Sequence, residues 1–359
     1  MSNVIRLATG ARYRRVLNRG AALIETVAVA RYPWGDLPWL RENAALLAVL
    51  GTIRLRPERG VLDLHEPFHA TLEQRLGFFP HHYRLLLSIC LDLEDLGLPG
   101  NKGEVLAHWA AREGLADREL SDLHRLGAQA LLLRRGIDPL PEDGGLEDRV
   151  RAFIDRSHAF ALPDVRAARC LTRIVLHLSA RGRRDPGLSP AAGRSLEHAG
   201  LLAYLDQDAA LLAEVCIAFR LGGLDPPPAW EGWLIRETAA FAPGDRDPGG
   251  WHGDDYRGYL LCNWAMASSG RRAFADDMAP GRAGFRRTHV AAGPLRAMSD
   301  LLWRMGDLRS DDWEVMRPRI AAALDERGLA ILAEAERSSR DFASFFAGFA
   351  RIGLRGVRL

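Results

Sequence analysis

Residues Pro80–Gly97 read PHHYRLLLSICLDLEDLG, and this stretch decides the fold. Its apolar residues recur at three and four, the period of a helix with one buried face. Pro80 stands where a helix can begin, and Gly97 stands where a left-handed cap can end it. A helix over His81–Leu96 follows.

Other stretches repeat the pattern. Apolar helices are expected over Pro163–Arg181, after Asp206, after Asp254, from Pro294, and over Ser339–Ile352. More amphipathic ones alternate with them at Phe68–Leu76, Glu104–Arg112, Glu147–Ser157, Ala191–Leu205, Trp230–Phe241 and Trp313–Leu324. A helix that is apolar all round wants cover on every side, whereas an amphipathic one keeps a wet face, so an inner and an outer layer are expected.

A glycine closes each apolar stretch: Gly51, Gly97, Gly136, Gly182, Gly222, Gly270, Gly306 and Gly353. Their spacings are 46, 39, 46, 40, 48, 36 and 47 residues. Each interval holds about two helices, which is the period of helical-hairpin arrays. The fold class expected is all-α, with helical hairpin repeats forming an α/α toroid or a short superhelix. Residues 1–359 are expected to make a single compact unit, with a soft break at Pro139–Gly145. Two segments depart from the helical pattern, Ala242–Asp255 and Arg271–His289, and both read as long loops.

Composition limits the function classes. A net charge of +2 supplies no drive toward nucleic acid, and 48% hydrophobic with 26% charged residues is ordinary for a globular protein. No apolar run reaches the length of a membrane span, and no secretory signal is visible. The four cysteines lie singly in apolar runs, the usage of a reducing cytoplasm. Lys102 is the single lysine, so a Schiff-base or phosphate-cradling lysine has one candidate. Arg12, Arg14, Arg15 and Arg19 make a basic face near the N-terminus.

Several motifs invite chemistry. His65-Glu66-Pro67-Phe68-His69 is a literal HExxH, the zinc-protease pattern in which two histidines share a helical face. Pro67 breaks that geometry, so a capped helix start is expected there, with Asp63 or Glu66 serving free N–H groups. Glu94 lies at a permissible distance for a third ligand. Gly97–Gly103, GLPGNKG, lacks both the glycine before Lys102 and the hydroxyl residue after it that a phosphate loop needs, and reads as a turn. His177, among apolar neighbours, reads as a core residue.

Trp251-His252-Gly253-Asp254-Asp255-Tyr256 joins an indole, an imidazole, two carboxylates and a phenol at a helix start. If the apolar helices run parallel, their starts share one rim. That rim would gather His81, His82, Tyr83, Asp206, Asp208, Trp251, His252, Asp254, Asp255, Tyr256 and His289. The same residue types serve as helix caps. No metal ligand or cofactor is assigned. The function expected is a helical-repeat binding or scaffold protein holding a peptide, protein or small ligand in a concave or rim site. The alternative is an α/α-toroid enzyme with a His/Asp acid–base or metal site at the funnel mouth. Nucleic-acid partners are not expected.

Residues Leu37–Gly51, Phe78–Glu104 and Leu196–Arg220 resemble an uncharacterised all-helical family of alphaproteobacterial proteins. The resemblance implies a cytoplasmic helical protein and assigns no site residues.

Overall fold

The computed structural model describes residues 20–58, 60–245, 254–274, 283–288 and 292–352. Helices supply nearly all of its regular structure, so the fold is all-α. Among the described residues no helix is long and apolar enough to cross a membrane. The chain divides into two compact units, residues 1–144 with 241–287, and residues 145–240 with 288–359.

In the first unit the helix Leu37–Thr52 packs along Tyr83–Leu96. Leu46, Leu47, Leu50, Leu86, Leu87, Ile89 and Cys90 are buried between and around them. Pro80 opens a 3-10 turn, Pro80–His82, that leads into Tyr83–Leu96. Gly97 ends that helix at φ 118°, a conformation an L side chain rarely adopts. The Leu98 N–H then reaches the Leu93 carbonyl at 2.9 Å, and Leu98 is itself buried, which completes a Schellman cap. Lys102–Arg112 and Asp122–Leu132 lie against the same helix.

The unit also holds the one sheet among the described residues. β1 (Phe241–Asp245) pairs antiparallel with β2 (Ala283–Arg287), with Phe241 opposite Arg287 and Asp245 opposite Ala283. Both strands fall in the segments read above as loops except for Phe241, which is read above as the end of the helix Trp230–Phe241. FAPGD offers no β-branched alternation, and Pro243 is tolerated because a two-stranded ribbon consists only of edges. Phe241 and Phe285 close on Tyr259 from the helix Tyr256–Ser268, at ring separations of 5.8 and 4.4 Å.

The second unit is built on Pro190–Asp206, which packs against Val165–Leu178, Ala209–Leu221, Glu326–Ser338 and the 3-10 turn Ser157–Ala161. Read above as an outer, amphipathic helix, it buries residues on every side, including His198, Leu201 and Tyr204. Its small residues explain this, since Ala199, Gly200 and Ala203 let neighbours close in. Leu295–Met305, read as apolar, leaves Trp303 76% exposed and is the more amphipathic of the two. Asp164, Ser189, Asp208, Asp312 and Asp325 each cap a helix start with a side-chain oxygen.

The glycine punctuation holds at Gly97, Gly136, Gly270 and Gly306, which follow helical segments with positive φ. Gly51 instead sits inside Leu37–Thr52, whose last turn continues one residue further. At Gly222 the cap keeps an ordinary φ of −85°, and Gly223 takes the left-handed step. Gly353 lies outside the described residues.

Close packing gives a test. A Cβ on Gly200 would overlap the ring of Trp230, which is fully buried and whose indole N–H donates to Ser338 Oγ at 3.1 Å. A Cβ on Gly193, in the same helix, would meet nothing nearer than Leu224 at 3.7 Å. Both changes gain up to about 1 kcal/mol of helix propensity. Gly200→Ala is nonetheless expected to destabilise by about 1–2 kcal/mol through overpacking, while Gly193→Ala is neutral or stabilising. Urea unfolding of the two variants measures the difference.

Candidate functional site

The described residues expected at the rim divide between the two units. His81 and His82 sit side by side at the start of Tyr83–Leu96, ring centroids 4.1 Å apart, and both lie 6.2 Å from the Phe79 ring. Burial, the neighbouring His81 and the Arg41 charge hold the His82 pKa below its usual value. Tyr83 turns inward and is buried, and burial with the Glu119 carboxylate raises its pKa.

Asp254, Asp255 and Tyr256 gather at the β1–β2 end of the first unit. Arg31, whose side chain is fully buried, forks between Glu42 at 2.5 Å and Asp254 at 2.6 Å. Its guanidinium lies 4.7 Å from the Tyr256 ring and 5.1 Å from Phe285. The second Asp254 oxygen accepts the Phe285 N–H at 2.7 Å. Asp255 caps its helix through the Gly258 N–H at 2.9 Å and pairs with Arg287 at 3.2 Å. Tyr256 donates to the Glu42 carbonyl at 3.3 Å. Both carboxylates thus hold the unit's own groups in place.

Asp206 and Asp208 belong to the second unit. Asp206 is the last residue of its helix, where burial and Asp208 raise its pKa. Asp208 caps the next helix through Leu211 N–H at 3.0 Å. Trp251, His252 and His289 lie outside the described residues, as do Arg12, Arg14, Arg15 and Arg19.

The HExxH histidines take different partners. His65 closes the 3-10 turn Val61–His65, and Pro67 stands in the first turn of the short helix Glu66–Ala70 that follows. Asn43 donates its amide to the Val27 and Trp39 carbonyls at 3.3 and 2.8 Å, leaving Oδ1 for His65 Nε2 at 2.7 Å. That geometry makes His65 the neutral Nε2–H tautomer. Its ring is fully buried beside Trp39, and burial lowers its pKa to about 4.

His69 points instead at Glu94. Its Nε2 lies 3.1 Å from Glu94 Oε1, and the Cys90 thiol lies 3.6 Å from the same oxygen. The Gly103 N–H donates to that oxygen at 2.8 Å, and Arg135 reaches Oε2 at 3.2 Å. His69, Cys90 and Glu94 place one donor atom each within 4.8 Å of one another. Burial works against the charge on Glu94, but the Gly103 N–H, His69 and Arg135 outweigh it and lower its pKa. Burial, then the adjoining carboxylate, raises that of Cys90.

The loop Gly97–Gly103 closes over this cluster. A Cβ on Gly100 would stand 2.8 Å from His69 Cε1, and one on Gly103 would stand 2.5 Å from Glu94 Oε2. Lys102 ties the loop down, donating to the Ala70 carbonyl at 3.1 Å. Sequence reading noted Glu94 but missed Cys90 as its companion. The available signal was a thiol and a carboxylate one turn apart on the buried face of one helix.

The chain belongs to the family described as a domain of unknown function (DUF6902), whose model matches residues 1–352. No curated protein and no solved structure matches it significantly.

His65 generates a pH prediction. Its folded pKa of about 4 lies below the unfolded value of 6.5, so the unfolded chain binds the proton first as pH falls. Stability is therefore expected to drop by about 2–3 kcal/mol from this group between pH 7.5 and 4.5. His65→Gln, which keeps a donor toward Asn43, removes that part of the slope in urea titrations run across the range.

Proposed function

We propose that this is a helical binding protein that docks an anionic, aromatic-containing peptide segment of a partner on the face formed by Phe78, Phe79, His81 and His82. Exposed Phe78 and Phe79 carry the reading: they are 77% and 42% exposed, and their rings touch each other at 4.7 Å. Two adjoining aromatic rings left in water at a helix junction are more informative than scattered surface leucines. They continue through Phe79 to the paired imidazoles, so apolar and proton-binding groups form one surface.

Cations border it. Arg41 lies close enough to His82 to influence its protonation. Arg75, one turn before Phe79, stacks over the half-exposed Trp34 at 4.7 Å. Aromatic anchors with arginines at the edge are the composition of energetically dominant interface residues. Carboxylates on the partner would complement the imidazoles and guanidinia.

In this reading the helical hairpins serve as a repeated scaffold, supported by the regular glycine spacing, in a bacterial cytoplasm, supported by four cysteines that form no disulfide. The engagement of Asp254 by Arg31, and of Asp255 by a helix cap, favours binding over an acid–base enzyme using those carboxylates.

Fluorescence anisotropy tests the reading with two short labelled peptides, one mixing Asp, Glu, Leu and Phe, the other with Ser in place of each acid. The acidic peptide is expected to bind, and to bind more tightly at pH 5.5 than at 7.5 as His82 gains its proton. Phe78→Ser is expected to weaken it by about tenfold or more. Equal binding of both peptides, or an unchanged affinity in Phe78→Ser, sinks the proposal.

A further inference from the structure

We infer that His69, Cys90 and Glu94 form a binding site for one divalent ion of the zinc class, which staples the helix Glu66–Ala70 to the helix Tyr83–Leu96. The site is independent of the peptide-docking face.

The donor set comes first. One imidazole nitrogen, one sulfur and one carboxylate oxygen suit a borderline-soft ion, and a hard ion such as magnesium would not choose a thiol. Distances come second. Tetrahedral coordination at ordinary zinc–ligand lengths separates nitrogen from oxygen by roughly 3.3 Å, and sulfur from oxygen by roughly 3.6 Å. The observed separations are 3.1 Å for His69 to Glu94 and 3.6 Å for Cys90 to Glu94. The third separation is bounded by 4.8 Å, and nitrogen and sulfur would draw together to the roughly 3.5 Å of tetrahedral zinc on binding.

Burial comes third. Cys90 is fully buried, and the side chains of His69 and Glu94 are 8% and 6% exposed. A single oxygen, Glu94 Oε1, faces His69, Cys90 and the Gly103 N–H together. The imidazole nitrogen and the thiol sulfur thus meet at one carboxylate oxygen, the convergence that a shared ion requires. Gly100 and Gly103 leave the space: a side chain at either position would press on His69 or Glu94. Arg135 holds Glu94 Oε2, so Oε1 stays aimed at the cluster.

The proton balance is simple. On binding, the Cys90 thiol releases its proton to solvent and the sulfur bonds to the ion as thiolate. The His69 Nε2 proton moves to Nδ1 by exchange through solvent, freeing the Nε2 lone pair. Glu94 enters already ionised. Thiolate and carboxylate together neutralise the two positive charges. A water or a backbone carbonyl completes the fourth position.

Cobalt(II) is the probe, because a four-coordinate thiolate-bound ion gives a sulfur-to-metal charge-transfer band and visible d–d bands. Full-length protein is stripped with chelator, dialysed and titrated with cobalt(II), then with zinc(II) in competition. One equivalent of cobalt is expected to bind with a charge-transfer band, zinc is expected to displace it, and zinc should raise the melting temperature. Cys90→Ser should abolish the band and weaken zinc at least tenfold, while Cys170→Ser leaves both unchanged. His69→Gln keeps the thiol and should likewise lose affinity, which covers the case in which Cys90→Ser fails to fold. Absence of a stoichiometric band in the wild type, or persistence of the band in Cys90→Ser, overturns the site.

Discussion

A carboxylate taken out of water costs several kcal/mol unless charged or polar groups replace its hydration. Glu94 meets that demand inside the first unit, and the local chain path follows from how it does so. The Gly103 N–H, His69 and Arg135 reach it from three separate segments. They are the first turn of the helix Lys102–Arg112, a helix of five residues, and a 3-10 turn. None could hold its position by helix propensity alone. Glu94 acts as their shared fixed point, and the long helix Tyr83–Leu96 supplies the rigidity behind it. The glycines at 100 and 103 follow from this, because the loop must approach the carboxylate more closely than a side chain permits.

The same unit contains a second buried charge system. Arg31 is shared by Glu42 and Asp254, and Asp254 also holds the β2 backbone at Phe285. Burial raises the pKa of Glu42 despite the arginine beside it. Arg134 repeats the theme with Asp92 and Asp95 at 2.8 and 2.7 Å. The second unit relies far more on packing. Phe342, Phe345, Phe346 and Phe349 stack on Trp313 and on each other, and Trp230 fills the notch left by Gly200. Buried ion systems specify one arrangement because any other leaves a charge unpaired. Aromatic packing tolerates substitution of similar volume more readily.

The helices were legible because their signals are local. Pro80, Gly97, Asp208 and Ser189 act within one turn of where they stand, so caps and boundaries can be read without knowing what packs nearby. The β1–β2 pair was illegible for the opposite reason. Its pairing joins segments about forty residues apart, and neither segment carries the alternation that marks a strand. The separation of His65 from His69 was legible: Pro67 forbids one continuous helix through both, and the chain passes from 3-10 to α geometry between His65 and Glu66. Asp254 and Asp255 looked like a site because acids before a helix serve both caps and chemistry. Only Arg31, more than two hundred positions away, separates the two readings. Cys90 was passed over because a lone thiol in an apolar helix is usually core, and its companion on Glu94 comes from a motif broken by proline.

The helix Tyr83–Leu96 joins the two proposed sites and explains why their charge preferences differ. Its N-terminal end carries the partial positive charge of aligned peptide dipoles. His81 and His82 sit at that end with Arg41 near, so three groups of the same potential sign face one another without an acid between them. Burial, His81 and Arg41 disfavour the protonated form of His82, which is the condition under which a partner's carboxylate gains most. At the other end, Glu94 already supplies a negative charge, and Cys90 can supply another by losing a proton. That end calls for a cation. One rod of fourteen residues therefore presents opposite electrostatic demands at its two ends. The exposed end suits a carboxylate brought by a partner, and the buried end something as small as an ion.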